Sequence, residues 1–535
     1  MSQAEIQQFV TELEAQIAPL EKQLCLLHWE FATTGSAEAG QKLAEIEKQY
    51  KTIFSDPKNF GKVQAWQQTK IDDPSMARQV DLLVDSYTPN QLDKATISEL
   101  VERQTEIENV FHNFRATLDG QTVSDNDIKE KLKTELNNVK RREAWEASKQ
   151  IALHVADKIR ALAKKRNQAA QKLGFKNHFE MSLKLQELDS PWVFNTFSKL
   201  EQAMEPAYRA QIDALQTKLA KRYGIGKNEI RPWHYEDPFA QQVPINVTVD
   251  LDPYFEHQDI CKLSKTFYES IDLDISDVLA RSDLFEREKK SQHAFCITMD
   301  RARDVRVLAN VRPNGYWASV MLHELGHACY SKNVGAELPF FLRNECHIFM
   351  TEAIAMMMEK MIYNPFWLRD MIGVSPQEAK SLKKHLDSTL ALEKLVIARW
   401  IMVVHLFEKA LYTDPDQDLN TVWWQLVARL QKITPPENRD HPDWAAKIHI
   451  ASSPCYYQNY LLGELTASQL VDTLEREAMN GHTLKETSFF DNPKIGKLLR
   501  EKWFAPGSAV RWDKLVRQVT GHSLDGTAFL RQFTA

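Results

Sequence analysis

The chain lacks a C-x-x-C pair: Cys25, Cys261, Cys296, Cys329, Cys346 and Cys455 are scattered along 535 residues. Such spacing argues against a disulfide framework and for reduced thiols in a reducing compartment. Nowhere does an apolar run approach the roughly 18 to 20 residues that a membrane span needs. The opening MSQAEIQQFVTELEAQ carries neither a basic nor an apolar leader segment, so a cytoplasmic location is the expectation. Asn246-Val247-Thr248 spells a glycosylation acceptor that would matter only on export. Excess positive charge is missing too. The net charge is −6 with acids and bases interspersed, which removes the electrostatic case for nucleic acid or an anionic membrane as partner. Glycine is sparse, 17 in all, so long segments run without punctuation.

What fills those segments is helical periodicity. Ile6, Phe9, Val10, Leu13, Ile17 and Leu20 recur at helical spacings and predict an amphipathic first helix. The charge run KEKLKTELNNVKRREAWEASK (129–149) reads as a solvated face. One region departs from the pattern. HAFCITMD (293–300) and VRVLANV (305–311) are short and β-branched or apolar, joined by RARD, and predict a hairpin. Breaks rich in proline and aspartate fall at 231–244 and 433–444, with no internal repeat and no flexible linker. The expected fold is mainly α: one large helical domain with a small β-sheet.

The stretch SVMLHELGHACYSKN (319–333) places His323, Glu324 and His327 in an apolar helical run. Uncompensated polar groups in a core are costly, so this turn needs a reason. Histidines four apart lie one helical turn apart on one face, where two imidazoles can share a cation. Glu324, on the flank between them, can meet a water without ligating the metal; this is the H-E-x-x-H arrangement of zinc peptidases. A catalytic zinc takes a third protein ligand and keeps one position open. A third histidine six residues on is excluded, because that position is Asn333. Three carboxylates follow. Glu345 lies close after LPFF for a fold-back, and Glu359 adjoins Lys360, with which an ion pair is expected. Glu352, polar within the apolar MTEAIAMMMEKM, is the expected ligand.

HELGH, TEAIAM with its glutamate 25 residues past His327, QHAFCITMD upstream and KIHIASSPCYYQNYLLGEL downstream together resemble the angiotensin-converting-enzyme family of gluzincin peptidases. LCLLHWEFATTGS and RREAWEASKQ extend the likeness across nearly the whole chain. The resemblance implies a helical peptidase fold with a deep central cleft. It implies a single domain over 1–535 in two cleft-forming halves. N-terminal lid helices would occupy about 1–115 and the zinc-binding and catalytic segment about 290–465. It further implies oligopeptide substrates and one zinc per chain, held by His323, His327 and Glu352, with Glu324 as general base. Tyr460 and His449 would act as oxyanion donors, His293 and Ala294 as an edge strand for the substrate backbone, and Lys447 and Tyr457 as holders of a C-terminal carboxylate. Held so, a peptide would lose dipeptides from its C-terminus.

The chain departs from the family pattern at several points. The His449–Tyr460 interval is one residue longer, with the Tyr-x-x-Tyr spacing of Tyr457 and Tyr460 kept and Tyr456 as rival anchor. Asn459 and Val427 stand where chloride-dependent members carry arginine, so chloride activation is not expected. The family's carboxylate-gripping glutamine has no match in RPWHYEDPF, where Tyr235 lies nearby. Its acid four residues past the glutamate ligand is Met356, so another group must orient the zinc histidine.

Overall fold

The computed structural model describes residues 3–244 and 249–533, and the Asn246 acceptor sequence lies outside them. The chain forms two compact units, each assembled from separate stretches. The first comprises Met1–Gln91, Leu251–Asp387 and Leu462–Phe529; the second comprises Leu92–Asp250, Ser388–Leu461 and Leu530–Ala535. Both are mainly helical.

In the first unit the amphipathic stripe forms the helix Gln3–Thr34, with Ile6, Val10, Leu13 and Ile17 buried. These pack against Phe54, Val63, Trp66, Val80, Leu83 and Tyr87 from the next three helices and against Phe340 and Phe341. Each such aliphatic side chain contributes about 1.5–3 kcal/mol on burial. The helices Ala37–Phe54, Pro57–Gln67 and Pro74–Tyr87 start where Ser36, Asp56 and Asp73 cap backbone N–H groups, and the last two have proline in their first turn.

The expected hairpin is present, though shorter: Phe295–Thr298 pairs antiparallel with Val305–Leu308, in the register Phe295 to Leu308. His293 and Ala294 precede the strand instead of belonging to it. Beyond the strand, Ala309 donates its N–H to Asp283 O at 2.9 Å. The same segment is fixed by Lys290, whose ammonium donates to Asp283 O, Asp283 Oδ1, Phe285 O and Ala309 O at 3.0, 2.8, 2.7 and 2.5 Å.

The second unit holds a hairpin the sequence did not suggest, Ala116–Leu118 with Gln121–Val123. It also corrects the reading of the charge run. Arg141 and Lys149 are buried, not solvated. Arg141 donates to Trp233 O at 2.7 Å, and Lys149 donates to Pro238 O at 2.8 Å. Carbonyls of the irregular 231–244 segment, left without helical partners, are met by these cations.

Candidate metal centre

Two helices of the first unit build the centre. Gly315–Lys332, capped by the Asn314 side chain on the Trp317 N–H, carries His323, Glu324 and His327. Ile348–Glu359 carries Glu352 and buries an almost continuous apolar surface. They cross at Gly326, where an added Cβ would lie 2.9 Å from Ala355 Cα and 3.2 Å from Ala355 N. Only glycine allows that approach, and the approach brings the ligands together. Gly463 plays a similar part on the far side of Glu352, whose Cβ lies 3.3 Å from where a Cβ would sit on that glycine.

His323 Nε2 and His327 Nε2 lie 3.2 Å apart, and Glu352 Oε2 lies 3.7 and 3.9 Å from them. One ligand atom from each residue falls within 4.8 Å of the others, so the three could hold a metal ion. Two nitrogens bound to one tetrahedral zinc at about 2.0 Å would stand about 3.3 Å apart, so the donor set fits. The outer nitrogens are engaged: His323 Nδ1 is 2.7 Å from Glu359 Oε2, and His327 Nδ1 is 2.7 Å from Thr351 Oγ1. Both rings turn Nε2 inward, where the two nitrogens and the Glu352 carboxylate can share a cation. Burial opposes charging His323, but Glu359, with Glu352 and Glu324, outweighs it and lifts the ring's pKa to about 9. Burial, with the neighbouring His323, pushes His327 down to about 3.

Glu359 corrects two expectations. It does not pair with Lys360, whose ammonium goes to Glu464, a buried carboxylate 104 residues on. It is instead the acid that orients His323, seven residues past Glu352 and not four; Met356 at the four-residue position packs against Gly463. Glu345, the other rejected ligand, accepts the Ser331 hydroxyl. Replacing Glu359 by glutamine keeps an oxygen for His323 but removes the charge. Metal affinity is expected to fall about tenfold, and toward a hundredfold for Glu359→Ala, as read by chelator competition. An unaltered affinity in both variants would remove the orienting role.

Glu324 is 9% exposed, and burial raises its carboxyl to about 7. The nearby His323 and the backbone N–H of Cys296, from the hairpin strand, act to lower it.

The expected oxyanion donors and carboxylate holders lie in the second unit. His449, Tyr457 and Tyr460 cluster, with ring centroids 5.5 Å apart for His449–Tyr457 and 5.6 Å for Tyr457–Tyr460. Tyr456 lies 5.2 Å from Tyr460. Polar side chains strap this segment. Glu408 accepts the Cys455 N–H at 2.8 Å, Gln186 donates to Cys455 O at 3.1 Å, and Arg166 donates to Ala451 O at 2.7 Å. Asn459 is buried too, its amide donating to Gln186 Oε1 at 2.8 Å.

Lys447 is not a solvated lysine. It is 9% exposed, with its ammonium 5.5–5.7 Å from the ring centroids of Phe239, Trp400 and Tyr457. Burial pushes its pKa down to about 8, while the Asp237 carboxylate acts to raise it. Its ammonium donates to Gln241 Oε1 at 2.8 Å. This partner of Lys447, Gln241, lies just past RPWHYEDPF, beyond Ala240 with φ +50°. An A-Q pair after the aromatic Phe239 was the available signal.

The family model of angiotensin-converting enzyme, a peptidase family, matches residues 1–535. Among curated relatives, angiotensin-converting enzyme of Bos taurus is 23% identical over 376 residues, 64% of this chain and 28% of that protein. That of the leech Theromyzon tessulatum is 20% identical over 397 residues, 69% of this chain and 64% of that one. The Rattus norvegicus enzyme is 25% identical over 248 residues, 45% of this chain and 19% of that one. The chain spans less than two thirds of the length of each of these relatives. With the whole chain matched by one family model, and two imidazoles and a carboxylate converging as that resemblance implies, the chain belongs to the angiotensin-converting enzyme family.

Proposed function

We propose that the protein is a zinc metallopeptidase that releases dipeptides from the C-termini of oligopeptides. The observation that carries this reading is the convergence of His323 Nε2, His327 Nε2 and Glu352 beside a buried glutamate of raised pKa. Zinc held by this triad, one per chain, would supply Lewis acidity, acidifying a water toward a pKa of about 7 and polarising a carbonyl. Glu324 takes the proton of the attacking water and passes it to the leaving amine. The Tyr460 hydroxyl and His449 donate to the developing oxyanion. His293 and Ala294, leading into the strand Phe295–Thr298, would offer backbone groups to an extended peptide.

Lys447, Gln241 and Tyr457 support recognition of a C-terminal carboxylate: a buried ammonium of low hydration, an amide and a phenol in one aromatic setting. A peptide held by its end is cut at a fixed distance from that end. Mass spectrometry of the products from a peptide mixture, free or amidated at the C-terminus, tests this. Dipeptides from the free peptides, with amidated ones resistant, is the expected result. Internal cleavage of both sets would replace the reading with an oligoendopeptidase resembling thimet oligopeptidase.

A further inference from the structure

The amide of Gln241 lies between opposite charges. Its Oε1 accepts from Lys447 Nζ at 2.8 Å, and its Nε2 donates to Asp237 Oδ2 at 3.3 Å. We propose that Asp237 is a positioning residue for free-carboxylate recognition: it locks the Gln241 amide with its oxygen on the Lys447 ammonium. This rests on the reading of Lys447, Gln241 and Tyr457 as the carboxylate anchor.

An amide has one donor end and one acceptor end. In the observed orientation the donor meets a carboxylate and the acceptor meets an ammonium. Rotated by half a turn, both contacts become repulsive. Asp237 and Lys447 are each 9% exposed, so little solvent screens the choice. Asp237 also shapes the loop that presents the amide. Its Oδ1 accepts the N–H groups of Phe239 and Gln241 at 2.9 and 3.2 Å. The carbonyls of the same loop are taken by buried donors. Trp145 Nε1 reaches Pro238 O at 3.0 Å, alongside the Lys149 ammonium. Gln431 Nε2 reaches Phe239 O at 3.1 Å and Ala240 O at 3.0 Å. With the loop backbone held on both sides, the direction of the amide is the degree of freedom left, and Asp237 locks it from the side opposite Lys447. The lysine then keeps a fixed direction while its remaining protons serve an incoming carboxylate.

The test is Asp237→Asn. Asparagine retains an oxygen for the two loop N–H groups but turns an NH2 group on the Gln241 NH2, so the amide loses the acceptor that locks it. The readout is competitive inhibition by an N-blocked dipeptide, carboxylate or carboxamide at its C-terminus, during cleavage of a fluorogenic peptide. Wild type is expected to bind the carboxylate form at least about tenfold better, as one charged hydrogen bond allows. In Asp237→Asn that ratio is expected to collapse to within about twofold, with the loss in KM and inhibition constant and not in kcat. In a Gln241→Met background the Asp237→Asn change is expected to add nothing. Asp237→Ser, which keeps a loop acceptor but cannot reach the amide, gives an intermediate ratio and serves if the asparagine variant fails to fold. A preserved ratio, an equal loss on both ligands, or additive effects would overturn the role of Asp237 while leaving the anchor standing. No preference in wild type would overturn the anchor, and this role with it.

Discussion

Gly326→Ala is expected to cost the protein its metal. The new methyl would lie 2.9 Å from Ala355 Cα and 3.4 Å from the Ile354 carbonyl carbon, backbone atoms of the Glu352 helix that no rotamer can move. Carbon atoms in contact prefer about 3.5–4.0 Å, so the two helices must part by roughly 0.5–1 Å. Metal–ligand distances tolerate only about 0.2 Å. The histidines ride on one helix and Glu352 on the other, so the separation falls on the coordination sphere. Metal affinity should drop more than tenfold, and overpacking should remove about 1–3 kcal/mol of stability. Gly61→Ala is the control: it too sits in a helix, with nothing within 4 Å of the added carbon. There the change should stabilise by about 0.5–1 kcal/mol, because alanine restricts the unfolded chain and favours the helix. Chelator competition and urea denaturation read both effects. A metal-replete Gly326→Ala protein of ordinary stability would show that the crossing does not set the site.

The second large effect is expected from Lys290→Met. The ammonium is wholly buried and faces three carbonyl oxygens and one carboxylate oxygen, much as a bound cation would. Burial pushes its pKa down while Asp283 opposes that shift. Methionine fills similar volume but leaves those acceptors without the charge that collects them. Breaking one side of a buried ionic cluster costs about 3–5 kcal/mol. The loss should appear in urea unfolding, with the hairpin beside Glu324 loosened first, as read by hydrogen exchange at Val305–Leu308. Equal stability of variant and wild type would mean that other contacts hold the segment.

The metal ligands were legible because their signal is local: a four-residue spacing and polar side chains in apolar helices, both visible without the fold. The groups that tune them were not. Glu359 was read with its neighbour Lys360, whereas the fold sends Lys360 to Glu464 and leaves Glu359 to His323. Sequence adjacency is a poor guide on a helix, where successive side chains point about 100° apart. Thr351 gave no signal, since a threonine before a glutamate means nothing until His327 faces it. Arg141 and Lys149 looked solvated because a charge run reveals nothing of carbonyls arriving from some 90 residues away. His293 and Ala294 read as strand by composition, but the pairing starts at Phe295. Gln241 lies two residues past RPWHYEDPF, and only the fold brings it to Lys447.

The most direct measurement is zinc per chain in the purified protein, in Glu352→Ala and in Glu345→Ala, before and after a chelator. The coordination described here predicts one zinc in wild type and in Glu345→Ala, little or none in Glu352→Ala, and loss of peptide cleavage on chelation with return on adding zinc. A metal-free, chelator-indifferent wild type, or full occupancy without the Glu352 carboxylate, would contradict it.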